Sequence, residues 1–559
     1  MKKTQLLFIS LLLLSSFVYA QVENVPIYNP VYTFLKEMEV KKIISFIRDD
    51  DPVLSRYEVV DLLNTIASQL PDLSETEKKF LKKYQIEFSD SIDPDTTTQL
   101  FNPQTNFFSD LNEMFSDKVK YLFAAKDKEN NIFVDWLGHF YHGQQFEPGA
   151  TTNTELFDIG FRVRGTLVNH LGYNLTVLKG GVSGNSDLAE VIQPKLLSNF
   201  KWLENIENIG NYDYTHGYLK YHTQPTEDMN ISVELGRDDI TLGYGYGSKL
   251  ILSGDNPTLD FIKFNFNYGI VDFSSMHAST VGYFSYDMNE RYTKYLAFNR
   301  LKLKFENVVD VGIGETVVYS GRGIELGYLS PINFYKFTEM ALQDRDNGMI
   351  YFDLQTKFIK NFEFQATFLL DENILSHLSD LERYTNKTAY QVGAFWYQPL
   401  SISDLSLIVE YTKIRPYVYT HVDIKNNYTA FGANMGHRIG PNADEIMARV
   451  NYNFSEWTRL TLEYRFSRSG ENIYDMDGNL IKNVGGDIGL SHGTNIVNEE
   501  APFLDGIRIN SNFLMANLRF EPIRSYFFDF SYYLQKDSNI TYNISNTLSY
   551  LLLKFTLEY

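Results

Sequence analysis

The stretch YLLLKFTLEY, Tyr550–Tyr559, decides the fold. Leu551, Leu553, Phe555, Leu557 and Tyr559 fall on one face of an extended strand, and Leu552, Lys554, Thr556 and Glu558 on the other, because successive side chains of a strand point to opposite sides. In a membrane barrel such a strand turns its apolar face to lipid and its polar face to the lumen. A soluble sandwich strand shows the same alternation, so the rest of the chain has to separate the two.

The N-terminus bears on the compartment. Lys2 and Lys3 precede the apolar stretch Leu6–Phe17, and Val18-Tyr19-Ala20 follows with small or compact residues. This is the pattern of a secretory signal peptide, residues 1–20, cut after Ala20. The chain has no cysteine, which excludes a lipoprotein anchor, disulfides, thiolate metal sites and a cysteine nucleophile. No later run reaches the roughly 18 apolar residues of a spanning helix. The charge balance is 50 Lys+Arg against 70 Asp+Glu, net -20, and so acidic a protein is not expected to bind nucleic acid. There are 39 Tyr and 42 Phe but 4 Trp. Lipid-facing strands with Phe at mid-depth and Tyr at the interfaces account for that surplus, as would a large aromatic core. The terminal strand also resembles the signal by which outer-membrane β-barrels are recognised for assembly, which implies outer-membrane lipid and the barrel-assembly machinery as partners.

Between Val22 and Phe88 the periodicity is helical. Pro30 opens a stripe of Val31, Phe34, Leu35 and Met38,. Ser55 with Glu58, and Ser74 with Glu77, form capping boxes ahead of two further helical runs, with Pro71 between them,. Residues 21–88 therefore read as a small N-terminal α-helical domain on the periplasmic side, and 89–117, rich in Asp, Ser, Thr, Asn and Pro, as a linker. From 118 to 559 the period is two. Phe157, Ile159, Phe161 and Val163 alternate with Asp158, Gly160, Arg162 and Arg164; Phe362, Phe364, Ala366 and Phe368 alternate with Glu363, Gln365 and Thr367; Leu460, Leu462, Tyr464 and Phe466 alternate with Thr461, Glu463 and Arg465. Some 16 to 18 such segments predict an all-β transmembrane barrel of antiparallel strands. The long polar insertions Gly181–Tyr214, Asp371–Lys387 and Ser469–Pro502 are expected outside the cell, and the short breaks at Lys360-Asn361 and Ser455-Glu456 on the periplasmic side,.

Two stretches break the alternation. Gly236–Asn256 reads GRDDITLGYGYGSKLILSGDN, and Gly314–Asn347 reads GETVVYSGRGIELGYLSPINFYKFTEMALQDRDN. A wall strand needs neither the Arg-Gly-Ile-Glu run nor Pro331, so the second is expected to fold into the lumen or over its mouth. Arg237, Arg322, Glu315, Glu325 and Glu339 are costly to bury unpaired, and either a salt-bridge network across the lumen or a ligand site satisfies them. Tyr244, Tyr246, Tyr319 and Tyr328 offer flat faces to sugar rings, while Arg237 and Arg322 offer planar donor pairs to acidic groups. At these residues the chain resembles the Wzi-like capsule-assembly family of outer-membrane proteins: Gly236-Arg237 through Ser248–Ser253, and Gly314-Glu315 through Tyr319, Arg322, Glu325, Leu329-Ser330-Pro331, Phe334 and Glu339. Relatives tend to carry Trp-Gly where this chain has Tyr244-Gly245. The resemblance implies about 18 strands, helices plugging the periplasmic side, and a role in organising extracellular or capsular polysaccharide.

The acidic clusters Asp344, Asp346, Asn347 and Asp475, Asp477, Asn479 lack the complete calcium loop and read as turn chemistry; no metal or other cofactor is expected. His139, His142, His216 and His222 come with no nucleophile elbow and no HExxH,, so an enzyme is not expected. The competing functions are polysaccharide binding at the cell surface, without catalysis, and a porin-like channel for small polar or charged solutes, which a strand number of this size would also permit.

Overall fold

The computed structural model describes residues 21–101, 111, 113–147, 150–196, 200–206, 209–282, 288–372, 380, 382–496 and 499–558. The expected signal peptide and the terminal Tyr559 lie outside the described residues.

Eighteen strands close a barrel through antiparallel neighbours: β1 (Asn131–Glu147), β2 (Ala150–Leu167), β3 (Leu171–Gly184), β4 (Ile209–Thr226), β5 (Met229–Asp238), β6 (Leu259–Tyr268), β7 (Val271–Val281), β8 (Thr293–Phe305), β9 (Val309–Ser320), β10 (Asn347–Thr356), β11 (Phe362–Asp371), β12 (Lys387–Tyr397), β13 (Leu405–Ile414), β14 (Ala443–Ser455), β15 (Thr458–Glu471), β16 (Ile507–Ile523), β17 (Tyr526–Asn539) and β18 (Ile544–Glu558). The segment that opened the reading closes the ring: β18 pairs with β17 on one side and β1 on the other, with Phe555 opposite Phe528 and Phe140. Closure leaves no sheet edge. The alternation resolves as apolar outside. Phe157, Ile159 and Phe161 on β2 and Phe364 and Phe368 on β11 are exposed on the outer face, while Arg162 and Arg164 of β2 turn inward, bonding Asp135 and Glu23. Among the described residues no helix is long and apolar enough to cross a membrane.

Connections alternate between two ends. Turns such as those joining β2 to β3, β8 to β9 and β16 to β17 are tight, whereas those leaving β3, β5, β7, β9, β11, β13 and β15 are long. The helices α1 (Val31–Val40), α2 (Arg56–Ala67) and α3 (Glu75–Glu87) sit in the lumen at the tight-turn end. Glu58 accepts the Ser55 N–H at 2.7 Å and Glu77 the Ser74 N–H at 2.6 Å, so both capping boxes form. Far from standing apart, the three helices share one core with the wall: Phe34, Leu35, Met38, Val59, Leu63 and Leu81 pack with Phe395, Tyr397, Ile408 and Met447. Ion pairs fasten the edges. Asp50 meets Lys302 at 2.7 Å and also pairs with Arg300; Asp51 meets Lys263 at 2.6 Å; Arg164 meets Glu23 at 3.0 Å and Asp90 at 3.1 Å. Burial favours a neutral Asp90, yet Arg164 and Arg56 hold its carboxyl down at about 2,. In the stretch read as a linker, Thr97–Gln99 pairs in parallel with Val119–Tyr121.

Candidate functional site

The two irregular motifs end on opposite sides of the wall. The β5–β6 connection, residues 239–258, folds into the lumen from the long-loop end. Its Ile240, Leu242, Leu250, Ile251 and Leu252 join Val418, Tyr419, Tyr428 and Met435 of the β13–β14 connection and inward residues of β6–β12 in one core. Gly243 takes φ +95° and donates its N–H to the Asp50 carbonyl at 2.8 Å. Lys249 reaches the Asp49 carbonyl at 2.6 Å, and burial pulls its ammonium down to about 8 although Asp49 and Asp51 oppose this. Loop and plug therefore meet inside the barrel. Tyr244 is buried against the Arg300 guanidinium, 5.2 Å from the ring centre. Tyr246 donates to Glu363 at 2.7 Å, and the Tyr246 and Gly247 N–H groups donate to Glu410 at 2.7 and 3.0 Å. Neither ring offers a free face.

The β9–β10 connection lies against the outer face of the wall, which corrects the expectation of a loop folded into the lumen or over its mouth. It carries two short helices, α4 (Leu326–Leu329) and α5 (Tyr335–Ala341). The outward Glu315 of β9 accepts the N–H groups of Tyr335 at 2.8 Å and Lys336 at 3.1 Å. Outward Asn299 of β8 donates to the Asn333 carbonyl at 3.0 Å, and outward Gly348 of β10 leaves room for Glu339, which a Cβ there would meet at 2.5 Å. Tyr319 exchanges a hydrogen bond with outward His277 at 2.8 Å and stacks on Tyr295 at 4.8 Å. Arg322 grips Asp346 with two bonds of 2.9 and 2.5 Å, lies 4.7 Å from the Tyr319 ring centre and faces Glu325 at 3.6 Å. Tyr328 donates to the same Asp346 at 2.8 Å, and Lys336 meets Glu339 at 2.6 Å. These charges make local pairs that staple a hairpin to the barrel, not a network across the lumen. Arg237 is separate again, half-exposed on the outer rim with Asp260 at 2.6 and 2.8 Å. The nine candidate residues therefore do not converge: two lie in the lumen, six build the external hairpin and one lies on the rim.

One space that stays open in the lumen is a chamber of about 400 Å³ between the plug and the walls β1–β5 and β16–β18. Tyr28, in the turn that leads into α1, lines it and is 60% exposed. Tyr212 donates to Asp158 at 2.8 Å, and Tyr214 to Asp239 at 3.0 Å. Lys195, just beyond a short helix, residues 186–192, that packs on inward Tyr141, Leu156 and Tyr212, meets Asp239 at 2.6 Å. His139 faces Asp158 at 2.5 Å and His216 faces Asp238 at 2.6 Å, so each imidazole is set against a carboxylate and not against a hydroxyl or thiol nucleophile. His216 Nε2 and Asp239 Oδ1 find no hydrogen-bond partner among the described residues. The wall thus combines aromatic faces, paired charges and unspent hydrogen-bonding capacity. Sequence reading missed it because its members come from three regions remote in the chain; the inward Asp158 and Arg162 of β2 were the signal available.

Elsewhere, Glu39, Asp49 and Glu363 form an acidic group of metal-like spacing, but the Lys36 ammonium bonds all three. Asp475 closes its own turn, accepting from Asp477 and Asn479 N–H groups at 2.9 and 2.8 Å.

A closed 18-stranded barrel with an apolar exterior and an interior filled from both ends is an occluded outer-membrane β-barrel. The chain belongs to the capsule assembly protein Wzi family, whose sequence model matches residues 140–485. Among solved structures it is similar to Wzi of Escherichia coli, a carbohydrate-binding β-barrel involved in group 1 capsule assembly, with 11% identity over 96% of this chain and 99% of that one and a TM-score of 0.54. It also aligns with OprD of Pseudomonas aeruginosa (9% identity, 76% of this chain, 95% of that one, TM-score 0.41) and with OpdO of the same organism (8%, 77%, 97%, 0.43). No curated protein sequence matches the chain. The long loops and the plug lie at opposite ends of the barrel.

Proposed function

We propose that this protein binds capsular or other extracellular polysaccharide at the cell surface, without catalysis, and that the lumenal chamber supplies a saccharide subsite. The observation that carries the reading is the chamber wall itself: Tyr28 presents an uncommitted ring, and the Tyr214–Asp239–Lys195 cluster presents oriented polar groups beside it. Sugars are held by that mixture of flat apolar surface and fixed donors and acceptors. The carbohydrate binding of the Escherichia coli structural relative agrees with it. A porin-like channel for small polar or charged solutes fits less well, since the plug helices and the β5–β6 and β13–β14 connections meet inside the barrel. The test is titration of the detergent-folded protein with acidic and neutral surface polysaccharides. Tyr28→Ala and Asp239→Asn are each expected to weaken binding about tenfold, ~1.4 kcal/mol, while Arg322→Ala and Glu325→Ala, on the outer wall, leave it unchanged. Binding lost only in the latter pair would move the site to the hairpin, and binding to no glycan would remove the reading.

A further inference from the structure

Around most of the barrel the outward positions are apolar, but one sector is inverted. At the upper halves of β7–β9 the outward side chains include Ser275, His277, Asn299 and Glu315, whereas their inward neighbours Met276, Leu296, Phe298 and Val318 belong to the lumenal core. Polar groups cannot face hydrocarbon unpaired. The hairpin of residues 321–346 covers them, and what its span 324–340 turns away from the wall is mostly apolar: Ile324 is 55% exposed, Leu326 77%, Ile332 89%, Phe337 69% and Met340 58%. The exposed polar Gln343, Asp344 and Arg345 lie at its end.

Height places this surface. On β9 the outward positions left uncovered below the hairpin run only from Val309 to Ile313, about 13 Å at ~3.3 Å per residue. Strand tilt shortens that further, and an outer-membrane barrel carries an apolar band of about 25 Å. The belt is therefore incomplete in this sector unless the hairpin continues it, and its exposed side chains are continuous with the exposed Leu301, Val311 and Phe352 beneath. We propose that the hairpin 321–346 is a lipid-facing element set in the outer leaflet, with Leu326, Ile332, Phe337 and their apolar neighbours among the acyl chains. Amphipathic helical segments lie in this way at the boundary of head groups and chains. Bonds within the hairpin and to the wall satisfy part of its irregular backbone at that depth: besides the two bonds to Glu315, Asp344 N–H donates to the Glu339 carbonyl at 3.0 Å and the Asn333 amide to the Gly327 carbonyl at 2.9 Å. The occupant is lipid, and not a second copy of the chain, because the patch extends a belt that lipid already covers.

The absence of cysteine makes the test direct. Leu326→Cys, Ile332→Cys and Phe337→Cys are each labelled with a nitroxide in the full chain reconstituted into liposomes, with Val409→Cys as a belt reference and Met476→Cys as an aqueous one. These side chains are exposed, so folding is retained and is checked by retained β-sheet circular dichroism. The proposal expects the three hairpin labels to be relaxed by oxygen and shielded from a water-soluble nickel chelate, as at position 409. Relaxation by the chelate, as at 476, overturns it by placing the hairpin in water. Shielding from both reagents overturns it in favour of a protein partner.

Discussion

The β5–β6 and β9–β10 connections leave the same end of the barrel, both rich in apolar and aromatic residues, yet one buries them and the other displays them. Leu250 and Leu252 of the inner loop are fully buried; Leu326 and Ile332 of the outer hairpin are among the most exposed large apolar side chains of the described residues. The difference lies in the wall. Inward residues of β6–β12 at this level are apolar and receive the inner loop through the hydrophobic effect,, whereas outward residues of β7–β9 carry hydrogen-bonding groups and receive the outer hairpin through its backbone. A loop follows the face of the wall that its own free groups complete.

The most far-reaching expected effect breaks the inner side. Asp50 is the shared counter-ion of Arg300 and Lys302, both nearly fully buried. Asp50→Ala leaves Arg300 with Asp353 at 2.8 Å but Lys302 with Asp272 at the longer 3.7 Å. A fully uncompensated buried charge costs about 3–5 kcal/mol, so losing one of two partners is expected to cost roughly half of that. The expected outcome is faster amide hydrogen exchange through α1–α3, with the hairpin unaffected; unchanged exchange would show that the plug is held by apolar packing alone.

Next comes pH. Burial raises Glu37 of the plug to about 7 from an ordinary 4.5, against the opposing pull of Arg459 and the Asn453 amide. A carboxyl whose docked pKa is raised contributes stability that is complete below about 4.5 and is lost as pH rises through 7. At ~1.4 kcal/mol per unit the change is on the order of 3 kcal/mol. Protection of the plug amides should fall between pH 5 and 8 in the wild type and fall less in Glu37→Gln; equal slopes would contradict this origin.

On the outer side, Glu315→Ala removes the acceptor of two helix N-terminal N–H groups and is expected to cost about 1–3 kcal/mol locally. Limited proteolysis should then cut within 321–346 while the barrel keeps its heat-resistant mobility in electrophoresis. An intact hairpin would mean that its ion pairs suffice.

The smallest effects come from a matched pair of glycines, both at positive φ. In Gly243→Ala the new Cβ meets Ile251 at 2.9 Å, while in Gly321→Ala nothing lies within 4 Å. The first adds a clash in a closed core to backbone strain and should cost about 1–3 kcal/mol; the second carries the strain alone, about 1 kcal/mol. Equal thermal shifts would deny that the inner loop is tightly packed.

The barrel was legible because a period of two survives in strands such as β2, β11 and β15, and the helices because Ser55/Glu58 and Ser74/Glu77 are local signals. The family was legible in the segments around Arg237 and Arg322. What was not legible was the side of the wall: Glu315 and Tyr319 alternate with Thr316 and Val318 as well in either orientation, and only the closed register shows that Val318 faces the lumen. A partner for Arg322 only 24 residues on, or the meeting of Tyr214, Lys195 and Asp239 in the chamber, leaves no periodic trace.

The most direct test of the account is planar-bilayer conductance of the full chain. The plug is joined to the inner loop through the Asp50 carbonyl and to the wall through the Asp50 carboxylate. This predicts no large steady conductance in the wild type and, with the carboxylate tie removed, channel-like openings in Asp50→Ala. A large steady wild-type conductance would contradict the occluded barrel and return the protein to the channels.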